Sequence, residues 1–516
     1  VDERFQAALR LLPDYLGQHV MLSASALALG LLVSAPLIVL ARNSARVRWP
    51  VLAFVSVVQT VPGIALLALF YPVLLALSSL SQKVFGQGFA ALGFLPSLLA
   101  LMLYSMLPIV RNGVTGLLNI DRSVLEAARG VGMTPYQSLM RVELPLALPV
   151  IMAGVRTSAV WVIGTATLST PVGQTSLGNY IFSGLQIENW VAVLFGCVTA
   201  VALALIADQL LALVESGVAK RSKKRVWAGV TLLAAGVIAA VSPSIGATSA
   251  AYVIGAKNFS EQYILAALMA DRVVEEGASA TRRVGLGSVI AFRALANDEI
   301  DAYVDYSGTV WANILGRKDT LSREQMLEEL RRELREQYGV TLLGALGFEN
   351  AYALAMRKDK AESLGIRTIA DLAAHSANLR LGADFEFLAR PEWTALRDGY
   401  GLVFREQRQY QSTFMYRAVA SGDVDVISAF SSDGRIAAYD LAVLEDPQQV
   451  ILPYDAIVLL SPERAADAVL NRALRPLIGA IPIERMREAN QMVDRDEDKA
   501  TPARAAAWLA GHVGLE

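Results

Sequence analysis

Long apolar runs separated by short basic connectors fill the first half of this chain, and short strands alternating with helical periods fill the second. Runs near 20–40, 51–77, 91–110, 145–168, 190–214 and 226–245 are each about as long as the roughly 20 residues that cross about 30 Å of hydrocarbon. They predict six spanning helices. From Tyr252 onward the pattern changes to YVIGAK, then FSEQYILAALMADRVVEEG, and later LRLGAD, DVDVISAF and QQVILPYDAIVLL. β-Branched runs followed by helical periods predict an α/β fold whose ligands gather at strand ends and lobe junctions. The chain is expected to leave a first lobe near Met356 and to return near Pro453. Lobe 1 then takes about 252–355 and 454–516, and lobe 2 about 356–453. The charged helix REQMLEELRRELREQYG reads as a solvated face.

Composition sharpens the division. Of 516 residues 54% are hydrophobic, and the mean hydropathy is +0.42, more apolar than an ordinary soluble protein. Up to Arg225 there are 16 Lys and Arg against 9 Asp and Glu, a net of +7; the remainder carries a net of −9. Three connectors are basic, RNSARVR at 42–48, the segment from Arg111 to Arg141, and KRSKKR at 220–225, whereas the loops near 78–90 and 169–189 hold Lys83 as their only Lys or Arg. The positive-inside bias therefore places those three connectors in the cytoplasm and everything after about Ala250 outside it. The segment 220–250 has the basic cluster, apolar run and small residues of a signal peptide, but it lies mid-chain. It is expected to stay as the sixth span, exporting the domain beyond it, rather than to be cut near Ala247–Ala250. Two charges fall inside expected spans, Arg156 and Asp208; either they pair across helices or the arginine snorkels toward the interface.

Other chemistry is absent. The single cysteine, Cys197, lies in an apolar run, and His19, His375 and His512 have no ligand-like spacing, so no cofactor, metal or histidine relay is expected. No GxxxxGK[ST] occurs, so any ATP is hydrolysed by another chain. No nucleic-acid partner is expected.

The cytoplasmic stretch EAARGVGMTPYQSLMRVELP, Glu126 to Pro145, breaks from its apolar surroundings. Glu126-Ala127-Ala128 is expected to start a short helix, Gly130 and Gly132 to break it, and Thr134 to cap a second beginning at Pro135. Its spacing, E-A-A-x3-G-x9-I-x-L-P, resembles the coupling motif of ABC importer permeases. Glu126, Ala127, Ala128, Gly132, Leu144 and Pro145 match it, with Val142 in the isoleucine place. QTVPGIALLAL from Gln59 resembles the quaternary-amine branch. The resemblance implies an all-α type I permease domain over 1–225 with its coupling loop at 121–145, and a sixth span and linker at 226–250. It also implies a homodimer through that domain in the bacterial plasma membrane, and two copies of a separate ATPase docking on the loop.

The outer domain, 251–516, carries aromatic residues at expected strand ends: Tyr306 in DYSGT, Tyr352 in FENAYAL, Phe430 in SAFSSDG and Tyr454 in PYDA. Ring faces attract a cation that cannot donate hydrogen bonds, at about 0.5–2 kcal/mol each. These segments, with AKNFSEQYIL and DFEFLARP, resemble the two-lobed, periplasmic-binding-protein-like domains of glycine betaine, choline and carnitine importers. The resemblance implies a cage of Tyr306, Tyr352 and Tyr454, with Thr309 and Asn350 beside it, and Arg390 on the ligand carboxylate. Lys257 and Gln262 are implied as further ligand contacts. Phe430 departs from the family's usual tyrosine, keeping a ring face and losing a hydroxyl.

The expected function is permease plus binding subunit of an importer of a trimethylammonium compound, with no catalysis in this chain. Ergothioneine is the alternative substrate, for which Glu349 and Glu386 lie near the matched positions. A membrane-tethered sensor is the rival from another class, disfavoured by the coupling loop. An integral-membrane enzyme would need a nucleophile or paired carboxylates near the spans, and none is found.

Overall fold

A computed structural model of the chain describes residues 3–85, 89, 91–246, 252–317, 319, 321–385, 387–448, 450–495 and 498–515. These residues form two compact units, Val1–Phe182 with Trp190–Thr248, and Ser183–Asn189 with Ser249–Glu516. The cleavage-like stretch Ala247–Ala250 and Glu386 lie outside the described residues.

The first unit is helical. In chain order it contains α1 (Glu3–Asn43), α2 (Ala45–Thr60), α3 (Gly63–Phe85), α4 (Phe94–Leu118), α5 (Arg122–Gly130), α6 (Pro135–Ser138) and α7 (Leu144–Ala166). α8 (Gly178–Gln186), of which Ser183–Gln186 count with the second unit, α9 (Trp190–Ala219) and α10 (Lys223–Gly246) come next. Among the described residues six helical stretches are long and apolar enough to span a bilayer, as the hydropathy pattern predicts. Two details differ. The run at 51–77 is broken at Val61-Pro62, because proline has no N–H to continue a helix, so α2 ends at Thr60 and α3 starts afresh. α1 begins 17 residues ahead of the apolar run, its polar first turns continuing one 41-residue helix.

α4 is the centre of this bundle, packed against α1, α2, α3 and α7. Close approach needs small residues: a Cβ on Gly154 of α7 would lie 2.6 Å from the Pro108 carbonyl oxygen of α4. Arg156 of α7 donates to both carboxylate oxygens of Asp208 on α9, at 2.5 and 2.8 Å, and reaches Glu215 at 3.4 Å. The two intramembrane charges thus pair across helices, which is the arrangement that hydrocarbon demands.

The second unit contains two five-stranded sheets. Its strands are β1 (Tyr252–Lys257), β2 (Ala280–Leu286), β3 (Ala302–Tyr306), β4 (Thr341–Glu349), β5 (Tyr352–Arg357) and β6 (Arg380–Asp384). β7 (Glu406–Tyr410), β8 (Val426–Phe430), β9 (Leu441–Val443) and β10 (Asp455–Leu460) complete it. One sheet has the order β2-β1-β3-β10-β4, the other β7-β6-β8-β5-β9. β10, DAIVLL, is buried at every residue because it lies between β3 and β4. The edge strand β7, EQRQY, is polar and blunts its open side. Helix α11 (Ser260–Glu275) is buried over its whole first eleven residues, as a helix apolar on nearly all sides must be.

The chain passes from the first sheet to the second at Asn350–Ala351, ahead of the boundary expected near Met356, and returns between Val443 and Asp455. The apolar run YALAM pairs with β8 and β9 instead of extending β4. The helix Arg323–Tyr338 buries only the stripe Met326, Leu330 and Leu334, so its charged positions are the solvated face expected.

Replacing Arg156 by methionine leaves Asp208 and Glu215 without their cation. The thermal midpoint of the purified chain in detergent is expected to fall by roughly 5 °C or more, with part recovered in the double variant Arg156→Met, Asp208→Leu.

Candidate functional site

Aromatic residues converge where the second sheet ends. Tyr352 opens β5 and Phe430 closes β8, and the antiparallel register places them directly opposite. Their ring centroids are 4.9 Å apart, and Tyr352 also lies 5.0 Å from Phe387 and 6.0 Å from Tyr454, edge-on to the latter. Arg390 places its guanidinium carbon 5.0 Å from the Tyr352 centroid. The same guanidinium is 3.6 Å from Glu392 and 3.5 Å from the Tyr454 hydroxyl, which in turn donates to Glu392. Arg390, Glu392, Tyr352 and Tyr454 are all buried. Burial and the neighbouring Glu392 hold the Tyr454 phenol well above its ordinary range, so it remains a donor.

A second cluster surrounds Tyr306, at the end of β3. Its ring stacks on Phe259 at 6.1 Å, and its hydroxyl donates to Glu261 at 2.6 Å and accepts from Gln262 at 3.1 Å. Lys257 lies 5.2 Å from the Tyr306 centroid while its ammonium is ion-paired with Asp305. Gln262 also accepts from the Lys257 backbone at 3.2 Å and donates to the Val304 carbonyl at 3.0 Å. Thr309 is buried in the turn after β3, whose Ser307 donates to the Pro453 carbonyl and accepts from the Asp455 N–H, both at 2.9 Å. A Cβ at Gly308 would lie 2.8 Å from the Tyr454 ring, so only glycine admits that ring.

Asn350 joins the two clusters. Its backbone N–H donates to the Tyr454 carbonyl at 3.0 Å, and its side-chain amide donates to Glu261 at 3.2 Å. Glu261 also accepts from Asn490 at 2.9 Å. Desolvation pushes its carboxyl above the ordinary range despite these donors.

Of the residues singled out from the sequence, Tyr352, Phe430, Tyr454 and Arg390 are therefore brought together. Tyr306, Lys257 and Gln262 form the adjoining cluster, with Asn350 between. Glu349 is engaged by Arg323 at 2.7 Å. Sequence reasoning missed Phe387, Glu392 and Glu261. The first two flank Arg390 in FEFLARPE, and Glu261 is the one charged residue in the first eleven positions of its helix, a signal that could have flagged it. Among the described residues no group of three His, Cys, Asp or Glu is placed to hold a metal ion. The arrangement offers π-faces for a cation and a guanidinium for an anion.

In the first unit, α5 starts at Arg122 under an Asp121 cap, four residues before the start expected at Glu126, because the Asp121 carboxylate accepts from the Ser123 N–H at 2.9 Å. Gly130 still belongs to α5, and the break comes at Gly132, with φ +78°. Thr134 caps α6 ahead of Pro135, as the sequence predicts, and Gln137 answers it with a reciprocal bond that the sequence reading did not include. Ala127 and Ala128 supply the last carbonyls of α5, to Val131 and Met133, each at 3.1 Å. Glu126 is exposed and 3.6 Å from Arg122. Leu144 and Pro145 open α7. Three large apolar side chains, Val131, Tyr136 and Met140, stand exposed along this otherwise polar segment.

Comparison with known proteins supplies the kinship. Residues 250–511 match the family described as the substrate binding domain of ABC-type glycine betaine transport system. Residues 26–220 match the binding-protein-dependent transport system inner membrane component. The ergothioneine transport permease/ergothioneine binding protein EgtU of Helicobacter pylori (strain G27) is 28% identical over 88% of this chain and 82% of its own length. The glycine betaine/carnitine/choline transport system permease protein OpuCB of Bacillus subtilis (strain 168) is 39% identical over 39% of this chain and 84% of its own. A solved glycine betaine/carnitine/choline ABC transporter structure is 28% identical, covering 51% of this chain and 99% of its own at a TM-score of 0.46.

The raised carboxyl of Glu261 fixes a pH dependence. A group whose folded pKa is raised contributes stability at low pH and loses it as pH climbs through the folded value. The thermal midpoint of Glu261→Gln, measured against that of the unchanged chain, is therefore expected to shift in the variant's favour between about pH 5 and pH 8.

Proposed function

The chain belongs to the family of ABC-type glycine betaine transport systems, as a multi-pass permease fused to its own substrate-binding domain, and we propose that it imports a zwitterionic trimethylammonium compound. The observation that carries the proposal is the buried convergence of Tyr352, Phe430, Tyr454 and Phe387 with Arg390. Rings attract a methylated ammonium without needing its hydrogen bonds, and a guanidinium pairs with a carboxylate in a planar fork. In this reading Tyr352, Phe430 and Tyr454 hold the cation. Arg390 takes the carboxylate, and Thr309, Asn350, Tyr306, Gln262 and Lys257 support the wall from the first sheet. Lobe 1 is built on the first sheet and lobe 2 on the second.

Ergothioneine is the second reading for the same site. It is supported by the relative named for ergothioneine, which is similar over 88% of this chain and so across both halves.

An ABC importer permease implies an ATPase partner. We place it in a separate chain, two copies to a homodimer of this one, docked on the segment 121–145 through the exposed Val131, Tyr136 and Met140. The basic connectors support a cytoplasmic position for that segment and an extracytoplasmic one for the binding domain, in the plasma membrane.

Two measurements test this. Calorimetry on the full chain in detergent, against glycine betaine, choline, carnitine and ergothioneine, is expected to detect at least one ligand, whose binding Tyr352→Ala weakens by about fivefold or more. No binding by any of the four would end the proposal. With the partner ATPase added, Tyr136→Asp is expected to abolish most ligand-stimulated ATP hydrolysis and leave ligand affinity unchanged. Stimulation that survives Tyr136→Asp would remove the docking assignment.

A further inference from the structure

Arg390 already carries a cation to the Tyr352 ring. Its guanidinium carbon is 5.0 Å from the ring centroid, within the range of a favourable cation–π contact. A ring face held at that distance accepts one cation at a time. A ligand ammonium that is to use Tyr352 therefore competes with the protein's own arginine.

Glu392 keeps the arginine there. Two residues on from Arg390, its carboxylate lies 3.6 Å from the guanidinium and accepts the hydrogen bond of Tyr454. Tyr454 accepts in turn from Arg390 at 3.5 Å. All three residues are buried, Glu392 being 3% exposed and Arg390 6%, so this ion pair is little screened by solvent. The second oxygen of Glu392 has no hydrogen-bond donor among the described residues. A buried carboxylate with one oxygen left without a donor is a poor device for stability alone.

We infer that Glu392 is a positioning residue that parks Arg390 on the Tyr352 face, and that this internal ion pair makes the site select zwitterions over choline. The inference rests on the trimethylammonium reading above. A ligand with an ammonium and a carboxylate replaces both halves of the internal pair: its ammonium takes the ring, and its carboxylate takes the guanidinium from Glu392. Choline brings the ammonium and no anion. It must displace Arg390 from the ring and gives the displaced guanidinium nothing in return. Glycine betaine and ergothioneine are zwitterions of the first kind, so the inference holds for either.

The test compares betaine and choline affinities in the full chain for Arg390→Gln and Glu392→Gln, with folding monitored by thermal unfolding. In the unchanged chain, a betaine among glycine betaine, carnitine and ergothioneine should bind at least about tenfold more tightly than choline. Arg390→Gln removes the internal cation, so choline should tighten while the betaine weakens, and the ratio should narrow. Glu392→Gln is near-isosteric and frees Arg390 for the ligand carboxylate. The betaine should tighten, choline should weaken against the uncompensated guanidinium, and the ratio should widen by about threefold or more. A merely structural role for Glu392 would weaken both ligands together and overturn the inference, as would choline affinity unchanged in Arg390→Gln. If the unchanged chain binds a betaine and these shifts fail, the parked arginine alone falls. If it binds no quaternary ammonium, the import reading falls, and the inference with it.

Discussion

A charge taken out of water has to meet a partner, and that requirement organises both halves of this chain. In the first unit Arg156 of α7 answers Asp208 and Glu215 of α9. Near the start of α7, buried Glu143 pairs with Arg42 from the end of α1 and accepts from Ser138 at 2.9 Å, so a polar segment is tied to the apolar bundle through a closed ion pair. In the second unit Lys257 is engaged by Asp305, and Arg390 by Glu392. The last of these pairs also meets the Tyr352 ring and the Tyr454 hydroxyl. A site that balances plus against minus internally can exchange that balance for a ligand that carries its own, with no net charge added to a dry interior.

The ring cluster depends on strand register. Tyr352 and Phe430 face each other because β5 and β8 run antiparallel from that pair down to Met356 and Val426. A slip of one residue in β5 would turn the Tyr352 ring to the other side of the sheet, away from Phe430. Tyr454 arrives from the segment that returns to the first sheet and fits only because Gly308 has no side chain. The loss of a phenol at Phe430 leaves this geometry intact, since its contact with Tyr352 is ring to ring.

Much of this is legible in the sequence where the signal is local. The spans emerge from runs of apolar residues, and the cap at Thr134 from the proline that follows it. The opposite charges at 156 and 208 can be matched because hydrocarbon leaves them few alternatives. Local patterns fail where the outcome is set by pairing across the sheets. YALAM reads equally well as an end to the first lobe or a start to the second, and only its partners in β8 and β9 decide. Glu392 looks like an ordinary first-turn acid of the helix Pro391–Tyr400. Its contact with Tyr454 spans 62 residues of chain. Tyr306 groups with the other tyrosines by type, yet its hydroxyl is committed to Glu261.

The two sheets are joined by separate backbone links, at Asn350–Ala351 and between Val443 and Asp455. The first link is two residues long and the second eleven, Leu444 to Tyr454, so it is the first that holds the two sheets at a short, nearly constant separation. Asn350 lies in that short link and is bonded to Glu261 and to the Tyr454 backbone, so a ligand that shifts Tyr454 pulls directly on the shorter of the two crossings.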